Sequence, residues 1–357
     1  MLAGRKPSDL HRGARQRGGV AGGGASFVWP EGNMRTLFLA VVFAGTLVCL
    51  GGVTAQNYPT QPITMVVPFS AGGPVDTLAR IVTERMQPLL GQPVIVENVT
   101  GAAGSIGVGR VARAPADGYT LVSGIWSTHV VNGAVYKLKY DVLNDFEPIA
   151  LLTNNSQLIV ARKSMPANDL EEFISWLRAN PGKALAGTSG VGSPQHVMGV
   201  LFQNATGTRL QFVHYRGGAP AMQDLVAGQI DMMVADQVTS LPQIRTGNIK
   251  AYAVTSRDRL AAAPDIPTVD EAGLPKFHTT VWTAIWAPKG TPKNIIAKLN
   301  AAVVDSLTDS AVRQRLADLG QQVVPRDQQT PDVLAAFQKA EIEKWWPIIK
   351  AANITAE

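Results

Sequence analysis

Two stretches of glycine and hydroxyl side chains stand where a ligand could be held. Residues 69–76 read FSAGGPVD, one proline after the apolar run ITMVV and directly before helical spacing; residues 187–194 read GTSGVGSP between a strand-like run and a helix start. A strand, a glycine turn and a helix start let main-chain N–H groups converge, and the first turn adds unpaired donors at the positive end of the helix dipole. Such a cradle suits an anion, a carboxylate above all. Beside it there is little that could transform the anion. The second loop lacks the G-x-S-x-G spacing of a nucleophile elbow, so a hydrolase built on Ser189 or Ser193 is a remote alternative. Asp76 is counted among the candidate ligand-binding residues but reads more as a cap of the first helix, because an acid beside a bound anion would repel it unless it holds the loop or meets a cation.

Other polar residues read as secondary. Gly101, Gly104 and Gly107 form G-x-x-G-x-x-G, but the register is wrong for a dinucleotide fingerprint and the loop follows the second strand-like run. A turn lining a cleft, or close helix-to-sheet packing, is the expectation there, with no cofactor. His129, His196, His214 and His278 show no pair with metal-ligand spacing, so no metal is expected. His129 is placed at the edge of the cleft. Arg216 stands in the connection YRGGAP as a fixed charge for a carboxylate or as a solvated arginine. Asp231 and Asp236 bracket a strand, and Asp236, at its carboxyl end, is the one able to reach a ligand.

The bulk numbers mislead until the first residues are set apart. Residues 1–33 are rich in Gly and Arg without apolar periodicity; Met34-Arg35 then opens TLFLAVVFAGTLVCLGG and ends in Val53-Thr54-Ala55. A positive start, an apolar stretch and small residues at cleavage spacing make a secretory signal peptide over 34–55, with Met34 as the true start and 1–33 an over-called extension. Of 32 basic and 27 acidic side chains, 26 and 25 lie beyond residue 55. That near-neutral remainder carries no basic footprint for nucleic acid. The single cysteine, Cys49, falls inside the leader. A cysteine nucleophile, a disulfide framework and a thiolate metal site are excluded together.

The elements that must position the two loops follow from apolar spacing. Strand-like and amphipathic stretches alternate, which implies a parallel sheet covered on both faces. FEPIALLT and QLIVAR follow one another without a helix, as a crossover to a second lobe would require. Asn168 reads as the N-cap of the next helix, with Glu171 three residues on. The chain re-enters an apolar run at 280–287 before a mainly helical tail, whose PDVLAAFQKAEIEKWWPIIKAA reads as an amphipathic helix packed on the first lobe. The expected organisation is two α/β lobes, the first over 56–157 plus 282–357 and the second over 158–281. Ligands of open α/β sheets sit at the carboxyl ends of the strands, so the two loops should face each other across a cleft.

Taken jointly, YPTQPITMVVPFSAGGPVDTLAR, VIVENVTGAAGSIG, PADGYTL, NDFEPIA, ANPGKALAGTSGVGSPQH, HYRGGAPAMQDLVAGQIDMMVAD, AVTSRDRL, PDIPTVDEAGLP and APKGTP resemble the Bug family of extracytoplasmic solute receptors, associated with tripartite tricarboxylate transporters. The resemblance implies a type II periplasmic-binding fold and a periplasmic, non-catalytic, monomeric receptor for a small organic carboxylate. Its partners would be permease subunits of a tripartite tricarboxylate transporter or, alternatively, a sensor protein. By matching position, first-lobe contacts fall at Phe69, Ser70, Ala71, Gly72 and Gly73 with Ser127 and Thr128. Second-lobe contacts fall at Thr188, Ser189, Gly190 and Ser193, at Gly217, Gly218 and Ala219, and near Asp236. Pro74 and His214 depart modestly from the family pattern. Trp126 and Phe69 point to an aromatic or long acid in preference to citrate.

Overall fold

The computed structural model describes residues 58–356, so the expected signal peptide over 34–55 lies outside the described residues. The chain opens with β1 (Ile63–Val67), almost wholly buried, then α1 (Pro74–Leu90), which starts on a proline and stops at Gly91 in the left-handed region. β2 (Val94–Asn98), α2 (Ser105–Ala112) and β3 (Thr120–Ile125) complete a parallel β2-β1-β3 unit. A buried π-helical turn, Ser127–Val131, leads on to β4 (Phe146–Ser156), and after Gln157 alone the chain enters β5 (Leu158–Arg162).

Beyond β5 come α3 (Leu170–Ala179), β6 (Ala184–Thr188), α4 (Pro194–Thr206), β7 (Leu210–His214), α5 (Gly218–Val226), β8 (Met232–Ala235), α6 (Gln237–Arg245) and β9 (Ile249–Val254). The cap of α3 is Asp169, not Asn168: the Asp169 carboxylate accepts from Glu172 N, and Glu172 reaches back to Asn168 N. The cap therefore lies one residue further on, and the glutamate three residues after it reaches back past the cap to the preceding N–H. The chain returns through β10 (Thr280–Pro288) and ends in α7 (Lys293–Thr308), α8 (Ser310–Asp318) and α9 (Pro331–Ala351).

Two five-stranded sheets result, ordered β2-β1-β3-β10-β4 and β7-β6-β8-β5-β9. They are mixed where the alternation of strands and helices predicts parallel sheets. β10 runs antiparallel to β3 and β4, and β5 antiparallel to β8 and β9. The reason is topological. β5 and β10 are the strands that enter a lobe from the crossing, so each travels opposite to strands whose carboxyl ends point there. The crossings are stitched by buried Thr255: its hydroxyl accepts from Gln157 N and donates to Thr279 O, at 2.7 Å each.

α9 closes the first lobe as its amphipathic spacing requires. Trp345 meets Trp126 edge-on at 4.8 Å, and Trp346 Nε1 donates to Val130 O. Trp126 is fully buried in this core and cannot touch a solute. His129 also departs from its expected place at the cleft edge: fully buried, it stacks on Trp286 with ring centroids 3.6 Å apart. Burial alone pushes its imidazole down to about 3. Both follow β3 in sequence, but the π-helical turn carries them under α9 and away from the strand ends.

Candidate functional site

The first glycine loop is braced by an acid. Asp76, almost fully buried, accepts from Gly72 N and Arg80 Nε through one oxygen and from Asn98 Nδ2 through the other, each at 2.9 Å. Burial alone would raise this carboxyl, but the hydrogen bonds from Arg80, Gly72 N–H and Asn98 hold it below its ordinary value. Asp76 is thus not the helix cap; Gly73 is, without a side-chain bond. The acid spends its charge on Arg80 and on the loop, which leaves the first-turn N–H groups of α1 open at their outer end.

The second loop is built likewise. Thr188 Oγ1 pairs with His214 Nδ1 at 2.7 Å and accepts from Gly190 N at 3.2 Å; Ser193 caps α4 by accepting from His196 N. Ser189 Oγ donates to Gln195 Oε1 at 2.8 Å. That bond leaves the Gln195 N–H groups without a partner among the described residues. His214 therefore braces the loop through Thr188.

Between the lobes lies a cavity of about 50 Å³. Its wall carries Pro74 and Val75 of α1, Pro194 and Gln195 of α4, Gly218 of α5, and Asp236, whose carboxylate caps α6 through Thr239 N and Thr239 Oγ1. Four helices thus point their N-terminal ends at one small space. Each end carries roughly half a positive charge, and no cationic side chain lines the wall. Asp236, 8 % exposed, is its one acid, and burial raises its carboxyl above the ordinary value against the pull of the bonds from Thr239. A second cavity of about 120 Å³ meets the first on Phe69 and Ser189 and is lined further by residues 101–104, Tyr136, Gly190 and Arg216. The G-x-x-G-x-x-G segment does both things expected of it. Gly101 and Gly104 line this cavity, and Gly107 lets α2 close on Val99 O, which a Cβ would meet at 2.6 Å.

The lobes touch across this space. Tyr136 OH donates to Val191 O at 2.5 Å. A Cβ on Gly217 would lie 3.0 Å from Ser70 Cβ and 3.1 Å from Ser70 N, and closer still to Ser70 Oγ. One on Gly190 would meet the Ala103 backbone at 3.3 Å. The structure is a closed clamp.

Among the residues singled out by sequence, Phe69, Ser189, Gly218 and Asp236 line the first cavity, and Phe69, Ser189 and Gly190 the second. Ser70, Gly73, Thr188, Ser193 and Gly217 shape the loops around them. Gly72 and Ala219 instead line an outer groove, and Ala71 is exposed beside it. Ser127 and Thr128 are fully buried and line neither cavity; Thr128 Oγ1 is occupied by Ile125 N, Ile125 O and His129 Nδ1. Sequence reasoning missed the amide residues of the wall, Asn155, Gln157, Gln195 and Gln321. The signal for two of them was present: NNSQ at 154–157 interrupts two apolar strands, and a buried amide run persists only where partners or a ligand satisfy it. Asn155 Nδ2 donates to Gln321 Oε1 at 2.8 Å, a contact between residues no local pattern connects.

Two α/β lobes closed over a cavity at their strand and helix ends define a solute-binding protein of the periplasmic-binding-protein class. The chain belongs to the receptor family of tripartite tricarboxylate transporters, the Bug family: residues 78–354 match the family described as "Tripartite tricarboxylate transporter family receptor". It is similar to the periplasmic binding protein BugD, with 38 % identity, a TM-score of 0.81, and 84 % of this chain and 100 % of that one covered. MatC (Rpa3494) from Rhodopseudomonas palustris, solved with bound malate, has 42 % identity and a TM-score of 0.79, over 82 % of this chain and 100 % of that one. Protein BugT of Bordetella pertussis is 34 % identical over 321 residues, 89 % of this chain and 98 % of that protein. Among the described residues, no helix is long and apolar enough to cross a membrane, and no three metal-ligating side chains cluster.

Proposed function

We propose that this protein is an exported, non-catalytic receptor working in the periplasm, which closes its two lobes on a small organic carboxylate and presents it to the membrane subunits of a tripartite tricarboxylate-type transporter. The observation that carries the reading is the convergence of four helix N-termini on a space walled by amides and lacking cationic side chains. An anion gains there from dipole ends and N–H donors of both lobes at once, so binding and closure are one equilibrium. About 50 Å³ is several times what one water requires, roughly 10–15 Å³. The burial of Trp126 elsewhere takes away the side chain that would stack on an aromatic acid and favours an aliphatic one; a longer chain could pass Phe69 into the second cavity.

The test is a thermal-shift and calorimetric screen of the processed protein with succinate, malate, adipate, citrate and benzoate. A short dicarboxylate at a hundredfold its Kd is expected to stabilise the fold by about 2.7 kcal/mol, with benzoate inert. No response to any acid, or a response to benzoate alone, would overturn the reading.

A further inference from the structure

Asp236 poses a problem for a site that takes anions. Its carboxyl lies in the wall of the smaller cavity, and a Cβ on Gly218 would stand 3.7 Å from Asp236 Oδ2 and 3.6 Å from Gln195 Nε2, so acid and amide converge on one spot. Sharing the wall with it are Pro74 of α1, Gln157 of the crossing, Gln195 of α4, Gly218 of α5, Thr283 of β10 and Gln321. None of them is charged and none titrates. At the start of α6 the donors around it are Thr239 N and Thr239 Oγ1, with the backbone N–H groups of Asp236 and Val238, and burial outweighs them. Asp76 is committed to Arg80 and the first loop, and Arg216 lines the other cavity. No cationic side chain on the wall offsets a second negative charge, and the helix N-termini that remain are already drawn on by the bound acid. Two carboxylates brought into direct contact share one proton in a short hydrogen bond, because side by side they do not both ionise.

We propose that Asp236 enters the closed complex as a carboxylic acid and donates its proton to a carboxylate oxygen of the bound solute, so that one proton is taken up from solvent with each acid captured and returned on release. This inference rests on the reading that the cleft binds a carboxylate. The hydroxyl of protonated Asp236 supplies the donor that a lysine or arginine would supply elsewhere, and its neutral form removes the repulsion. Burial already disfavours the ionised form before a ligand arrives. The open, solvated cleft relaxes that pressure, so protonation is coupled to closure. The receptor would then hold its solute more tightly as the medium acidifies.

Malate and adipate serve as probes, titrated calorimetrically between about pH 6.5 and 8.5, where both are ionised. Each titration is run in two buffers of different ionisation enthalpy, which reads the proton count directly. Wild-type affinity is expected to fall up to tenfold per pH unit, with close to one proton absorbed per ligand in the lower part of the range. Asp236→Asn keeps a competent helix cap and a fixed N–H donor. It is expected to absorb no proton and to show a flat profile that crosses the wild type, binding tighter at the alkaline end by the factor the wild type has lost. A wild type that binds either acid with no proton uptake overturns the proposal, as does a pH slope that survives in Asp236→Asn. Loss of binding by a folded Asp236→Asn at every pH also overturns it, since the acid would then be an ionised acceptor for a solute hydroxyl. If neither probe binds wild type at any pH and the wider screen is also silent, the carboxylate reading falls, and this inference with it.

Discussion

Adding one methyl group at Gly217 should disable closure without disturbing either lobe. Gly217 sits in the β7–α5 connection of the second lobe with φ 164° and ψ 173°, extended backbone that alanine adopts without strain. The obstacle lies in the other lobe: the new Cβ would stand 3.0 Å from Ser70 Cβ and 3.1 Å from Ser70 N, with Ser70 Oγ nearer than either. Rotating the hydroxyl away removes one clash and leaves two, one of them with main chain. Forcing such a contact into a packed interface costs about 1–3 kcal/mol, and only the closed state bears it. Because ligand binding includes closure, Gly217→Ala should weaken binding of whichever dicarboxylate the screen returns by roughly 5- to 150-fold at 25 °C. The unliganded variant should unfold within about 0.5 kcal/mol of wild type, as a substitution that touches nothing in the open form should. Adding Ser70→Gly to the variant removes both side-chain atoms at the clash and should restore most of the affinity, a coupling that a double-mutant cycle isolates. Calorimetric Kd values and urea melts of the four proteins are the assay. An affinity within about twofold of wild type for Gly217→Ala, or a loss matched by an equal loss of unliganded stability, would refute the argument.

Tyr136→Phe removes the 2.5 Å bond to Val191 O that ties the first lobe to the second; a net loss of about 0.5–1.5 kcal/mol should weaken ligand binding some two- to tenfold, mostly through faster release in stopped flow, with the unliganded melt unchanged. Stability should fall on acidification below about pH 6.5, because the unfolded chain protonates its histidines there. Burial holds folded His129 neutral down to about 3, while His196 is pushed down to about 4 by burial first and by His214 second. Each contributes fully above the unfolded value and loses about 1.4 kcal/mol per pH unit below it until its folded value is reached. Urea melts at pH 7 and pH 5 measure the slope, and a flat profile would show that His129 is reached by solvent.

What residue order alone determined here was local. Apolar runs bounded by glycine or proline set the strands, 3.6-residue spacing set the helices, and glycine and hydroxyl clusters between them marked the two loops, since each depends on neighbours within a few positions. The motifs in series identified the family, and the closely spaced pair FEPIALLT and QLIVAR announced the crossing. Tertiary structure decided the rest because it joins residues far apart in the chain. Asp76 turned from cap to brace once Asn98 and Arg80 reached it. His129 and Trp126 sank into the core because α9 folds back over them. The strands entering from the crossing became antiparallel because of the end from which they enter. The cavity wall itself is an accident of no single segment: Asn155 meets Gln321, Ser189 meets Gln195, and Asp236 is left with no cation facing it. Charge balance in a cleft depends on what closes over it, and that is a property of packing in three dimensions.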